Sequence, residues 1–116
     1  MIKIWHNNRC SKSREAKTIL DDTKVEYEIF EYLKTNFTKD DILDIMKKLG
    51  ITDIKDMLRK KETEYKELEI DNKTQDEIID IIIETPKLVE RPIIIKGDKA
   101  VIARPMENLT ALLKVS

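Results

Sequence analysis

A strand–helix–strand opening limits the folds open to this chain more than any other feature. Ile2, Ile4 and Trp5 make residues 2–5 a short apolar strand. Residues 25–30 make a second, with Val25, Tyr27 and Ile29 alternating with Glu26, Glu28 and Phe30. Between them, residues 13–22 carry Ala16, Ile19 and Leu20 at helical spacing. A helical crossover returns the chain parallel to its first strand, and such crossovers are right-handed. An α/β class follows.

From residue 35 the pattern becomes helical. Thr35-Asn36 marks a loop, and Thr38 followed by Asp40 and Asp41 forms a helix start. Ile42, Ile45, Met46 and Leu49 supply the apolar stripe, and Gly50 the stop. A shorter helix is predicted over 54–59, and Tyr65, Leu68 and Ile70 suggest one more helical turn. Residues 74–85 carry a capping box, Thr74 with Glu77. The isoleucines at 78, 79, 81, 82 and 83 are β-branched and also suit a strand, but cap and length decide for a helix buried on several sides. Residues 92–96 and 100–103 read as strands joined through Gly97-Asp98-Lys99, an antiparallel hairpin. Residues 107–115, with Leu109, Leu112 and Leu113, form the closing helix. The order predicts one domain over residues 1–116. It holds a four-stranded mixed sheet flanked by helices, with a helical insertion at roughly 37–85.

Charge narrows the partners. Twenty-two basic and 23 acidic residues leave a net charge of -1, which favours neither nucleic acid nor a membrane surface. No apolar run approaches the roughly 20 residues of a membrane span. The N-terminus opens at once on a strand, without a secretory-leader pattern. One Cys cannot form an internal disulfide, and a reducing cytoplasm and a monomer are expected.

That single Cys stands at the most reactive place available. The polar stretch 6–14 is a turn between the first strand and the first helix, so Cys10 falls close to a helix N-terminus. Unpaired amides there favour an anion. Arg9, Lys12, Arg14 and His6 add positive charge nearby, and such surroundings lower a thiol pKa. A lone Cys is more often a small buried hydrophobe, but its hydrophilic neighbours argue against burial. His6 has two readings, thiol activation or hydrogen bonding within the turn. Ser13 occupies the position a CxxC enzyme gives to its second Cys, so any redox cycle needs an external thiol. One Cys and one His cannot fill a zinc shell.

Three arginines fall at element edges: Arg59, Arg91 before Pro92, and Arg104 before Pro105. Each Arg-Pro pair constrains the backbone presenting its guanidinium. Brought together, the three would surround a tetrahedral oxyanion, whose paired oxygens fit the guanidinium fork.

The chain resembles, over essentially its whole length, the glutaredoxin-coupled arsenate reductases of the ArsC family. The resemblance rests on His6-Asn7-x-x-Cys10-x-x-Ser13-Arg14, Leu58-Arg59-Lys60, Arg91-Pro92-Ile93 and Arg104-Pro105. It implies a thioredoxin-like fold with an inserted helical block and a cis bond before Pro92. It implies that Cys10 attacks arsenate, that His6 and Ser13 favour its thiolate, and that Arg59, Arg91 and Arg104 hold the oxyanion. No bound cofactor is implied; glutathione serves as thiol co-substrate and glutaredoxin as partner.

The loop departs from the family's usual Pro-Ala before the Cys and Gly-Thr after it, with Asn8-Arg9 and Ser11-Lys12 in their place. This makes it more basic and bears on recognition of the thiol partner. Sister branches are the Spx-type regulators, which bind RNA polymerase and often carry a CxxC, and a group of small reductase-like proteins. Ser13 and Arg104-Pro105 favour the reductase branch. The alternatives are an Spx-type interaction protein and a general glutathione-dependent thiol oxidoreductase.

Overall fold

The opening folds as a parallel strand pair with a helical crossover. In the computed structural model, which describes residues 2–114, β1 (Ile2–Trp5), α1 (Ser11–Asp22) and β2 (Tyr27–Phe30) form this unit. A helical stretch follows, comprising α2 (Lys39–Leu49), α3 (Thr63–Glu67) and α4 (Gln75–Glu84), with 3-10 turns at Ile54–Met57, Ile70–Asn72 and Pro86–Leu88. The chain returns through β3 (Ile93–Lys96), β4 (Lys99–Ile102) and α5 (Glu107–Leu113). The predicted extension of the last helix to Val115 lies outside the described residues. No helix among those described is long and apolar enough to cross a membrane.

The four strands form one mixed sheet in the order β2-β1-β3-β4. β1 is parallel to β2 and antiparallel to β3, and β3 is antiparallel to β4. Side chains alternate across it as strand geometry requires. Ile2, Ile4 and Ile94 face α1 and α5 and pack with Ala16, Leu20, Leu109 and Leu112. Trp5, Ile93 and Ala100 face the other way, into the larger core supplied by the helical stretch. Ile78, Ile79 and Ile82 of α4 are buried there, while Ile81 and Ile83 are half-buried against it. That division explains the near-continuous isoleucine run.

Local signals set several boundaries. Thr38 and Asp41 form a reciprocal capping box at the start of α2, and Gly50 ends the helix in the left-handed conformation at φ 74°. Thr74 and Glu77 do the same at the start of α4. The hairpin turn is Gly97-Asp98, one residue shorter than predicted, with Lys99 already in β4 and Gly97 at φ 61°. Residues 25 and 26 lie outside β2, and α1 begins two residues before its first predicted position.

Strand register decides where the site forms. Trp5 pairs with Ile93, and Ile93 with Ile102. The exit of β1, the approach to β3 and the exit of β4 therefore meet at one edge of the sheet. The amide of Ala103 donates to the carbonyl of Pro92 at 3.0 Å, closing that corner. Ligands in open α/β sheets bind at such an edge, beyond the carboxyl ends of parallel strands.

Candidate active site

Cys10 is the N-cap residue of α1, with extended backbone at φ -92° and ψ 123°. Its amide donates to Asn7 O at 3.0 Å, and its carbonyl accepts the Arg14 amide at 3.0 Å. The residues on either side, Asn8, Arg9, Ser11 and Lys12, are exposed. Cys10 itself is only 7% exposed. The expectation drawn from its hydrophilic neighbours is thus corrected: in a turn, adjacent side chains point apart, and the sulfur points inward.

What surrounds the sulfur is polar. Arg104 Nη2 donates to Sγ at 3.5 Å. The Arg91 charge and the amides of Ser13 and Lys12 at the head of α1 act on it electrostatically. Burial pushes the Cys10 thiol up, but the Ser13 amide, the Arg91 guanidinium and the Lys12 amide together pull it further down. The net displacement is below the ordinary thiol value. This is the environment of a nucleophilic thiolate.

His6 and Ser13 are both buried, at 3% and 0% exposure, and they bond each other rather than the sulfur's lone pairs. His6 Nδ1 lies 2.7 Å from Ser13 Oγ, and His6 Nε2 lies 3.1 Å from Asn8 Oδ1. The Asn7 amide donates to Ser13 Oγ at 3.0 Å. These contacts join His6, Ser13, Asn7 and Asn8 in one hydrogen-bonded network behind the Cys10 turn. The Ser13 amide, at the head of α1, acts on the sulfur.

The three arginines converge. Arg104 Nε donates to the carbonyl of Arg91 at 2.7 Å, cross-linking the two Arg-Pro corners. Both Arg-Pro bonds are cis, where the resemblance implied this for Pro92 alone. Arg59 arrives from the helical stretch. The predicted 54–59 helix ends earlier, as a 3-10 turn at Met57. Leu58 then forms an isolated antiparallel bridge with Val89. The Arg59 amide donates to Leu88 O and the Glu90 amide to Met57 O, both at 2.8 Å. This rung places Arg59 beside Glu90 and Arg91. No contact joins Arg59 to the sulfur directly.

Two carboxylates that sequence reasoning passed over hold these arginines. Arg59 pairs with Glu62 and, at 3.9 Å, with Glu90 Oε1. The same Glu90 oxygen lies 3.3 Å from Arg104 Nε and accepts the Arg91 amide at 3.1 Å. The only sequence signal for Glu90 was its place beside Arg91; its link to Arg59 and Arg104 is long-range. Two open clefts touch the residues around Cys10, one lined by His6, Asn8, Arg9 and Glu31 and the other by Glu90, Ile102 and Arg104, while Cys10 lines neither.

Comparison with known proteins agrees with this arrangement. The profile of the ArsC family matches residues 5–112. The chain is 42% identical over 114 residues to the arsenate reductase of Haemophilus influenzae, covering 97% of this chain and 98% of that one. It is 41% identical over 114 residues to the arsenate reductase of Neisseria meningitidis, covering 97% of each. Among solved structures, the arsenate reductase from Vibrio cholerae superimposes with a TM-score of 0.91 at 32% identity over 95% of each chain. Such likenesses identify the sheet and its inserted helices as a thioredoxin-like fold. A profile spanning nearly every element, relatives alike end to end and a cysteine among arginines at the sheet edge lead to one assignment: the chain belongs to the ArsC family.

Proposed function

We propose that this protein reduces arsenate to arsenite by nucleophilic catalysis at Cys10, with glutathione and glutaredoxin supplying the electrons. The observation that carries the reading is the Arg104 guanidinium docked on a buried sulfur whose pKa is lowered, with Arg91 cross-linked to Arg104 beside it. The names of its relatives agree with it.

The Cys10 thiolate attacks arsenic(V), forming an S–As bond while one arsenate oxygen leaves, protonated, as water. Arg91 and Arg104 hold the remaining oxygens and stabilise their charge as the bond forms. Arg59, turned toward the site by the Leu58–Val89 rung, completes the cradle once Glu90 and Glu62 give up their contacts to the incoming oxyanion. Glutathione thiolate then attacks the Cys10 sulfur. The S–As electron pair stays on arsenic, which departs as arsenite, and Cys10 becomes a glutathione mixed disulfide. A glutaredoxin thiol takes the glutathionyl group and restores the thiolate. Because no second cysteine exists in the chain, that final step is external. His6 and Ser13 act by holding the loop so that the Ser13 amide meets the sulfur.

The test is a coupled assay with arsenate, glutathione, glutaredoxin and glutathione reductase, following NADPH oxidation. Turnover that depends on Cys10 and falls in Arg91 and Arg104 variants is expected. Absence of arsenate-dependent turnover defeats the reading. Glutathione exchange that persists unchanged without the arginines replaces it with general thiol oxidoreductase activity.

A further inference from the structure

Tyr32 Oη and Arg91 Nε are buried polar atoms that make no hydrogen bond among the described residues. A buried donor left unmade costs stability, and native proteins seldom tolerate one without a reason. Here two occur in one neighbourhood. Tyr32 follows β2, whose last residue, Phe30, accepts the His6 amide at 2.9 Å. Its ring stacks on Trp5, with centroids 5.7 Å apart and planes inclined by 19°, where β1 ends and the Cys10 loop begins. The charges acting on its hydroxyl belong to Arg91, Cys10, Arg59 and Glu90. Tyr32 is 1% exposed, and burial pushes its hydroxyl up to about 12. It is a neutral phenol, able to donate, at any pH where a thiolate enzyme works.

Arg Nε is a donor only and needs an acceptor, and a neutral phenol donates to any oxyanion. A ligand rich in charged oxygens satisfies both, whereas a cation leaves Arg91 Nε unpaired and an apolar group leaves both so. Resting on the arsenate reading above, we propose that Tyr32 is a further substrate-contacting residue, its hydroxyl and Arg91 Nε–H donating to oxygens of the tetrahedral oxyanion at Cys10. Stacking on Trp5 fixes the phenol before substrate arrives, so its donor is preorganised. A donor without charge strengthens as negative charge gathers on the oxygens during attack. Arg104 docks on Sγ, and the oxyanion displaces this exposed side chain on arrival.

Tyr32→Phe removes the hydroxyl and nothing else, and it separates this role from a structural one. A hydroxyl serving the fold, through an ordered water or another group, costs melting temperature when removed. One held for substrate does not, because its removal deletes a buried unpaired donor. Arsenate protection of Cys10 against iodoacetamide, followed by mass spectrometry, measures oxyanion binding without turnover. The expected result is about tenfold or more weaker protection in Tyr32→Phe, with a melting temperature at or above that of the wild type. Unchanged protection overturns the proposal, as does weaker protection accompanied by a lower melting temperature. Absence of protection in the wild type overturns both this inference and the arsenate reading. Protection without turnover defeats the reductase reading alone.

Discussion

α1 and α4 begin in opposite ways. At α4, Thr74 Oγ accepts the Glu77 amide at 3.3 Å, and Glu77 Oε1 accepts the Thr74 amide at 2.9 Å. Asp76 and Glu77 add negative charge to that first turn. α1 has none of this. Its N-cap is Cys10, which makes no side-chain capping bond, and its first turn holds no acidic residue. In α1 the Ser13 amide, the counterpart of the Glu77 amide in α4, is left to act on a sulfur rather than on a capping oxygen. The first arrangement serves stability alone. The second leaves a helix end available to an anion, and the arginines of two other corners extend the same preference.

The sharpest way to break this contrast is Cys10→Ser. Serine is a strong capping residue, so α1 then starts as α4 does. Turnover falls by more than about a thousandfold, while denaturant unfolding shows stability unchanged or raised by up to about 1 kcal/mol. Loss of stability together with activity contradicts the comparison.

Arg91→Met acts on the charge side. The folded pKa of Cys10 lies below its ordinary value. Thiolate is thus retained down to the depressed midpoint, and its stabilising effect, present above the unfolded pKa, is lost as pH falls through the folded one. Removing Arg91 moves the midpoint of the alkylation-rate profile upward, and kcat/KM for arsenate drops by about a hundredfold. A midpoint that stays in place or moves down removes Arg91 from thiol activation.

Ser13→Ala sharpens the division between shaping the loop and activating the sulfur. It strips a partner from both His6 Nδ1 and the Asn7 amide, and urea unfolding should register a loss of about 1–3 kcal/mol. The alkylation midpoint shifts little, because the amide at position 13 remains. Smallest of all, Thr74→Ala removes one half of the α4 box and costs about 1 kcal/mol. Cys10 reactivity is untouched, which the same alkylation assay checks.

Much of the architecture was legible because its signals are local. A short apolar run marked β1 to the residue, Thr74 with Glu77 marked the start of α4, and Gly50 marked the end of α2. Ser11 and Lys12 hid the start of α1, since they carry no apolar spacing. Cys10, His6, Ser13 and the three arginines were all picked out, the arginines by their positions at element edges. What escaped was long-range. Nothing near Arg59 shows that Leu58 will pair with Val89, and nothing near Glu90 shows that it will meet Arg59 and Arg104. Tyr32 carried no signal in the sequence, because an unpaired hydroxyl exists only once the fold has closed around it.

The Leu58–Val89 rung has a consequence for how this architecture tolerates change. It clasps the helical excursion at its root, so everything between the two residues is a loop whose ends are already tied. Lengthening a tethered loop is inexpensive, about 0.6 kcal/mol for each doubling. The exposed turns there can lengthen while the guanidinium at position 59 keeps its bearing on the corner at 91, provided the buried isoleucines of α4 stay in the core. Severing the clasp, by contrast, sets that side chain adrift even if every helix beyond it stays intact.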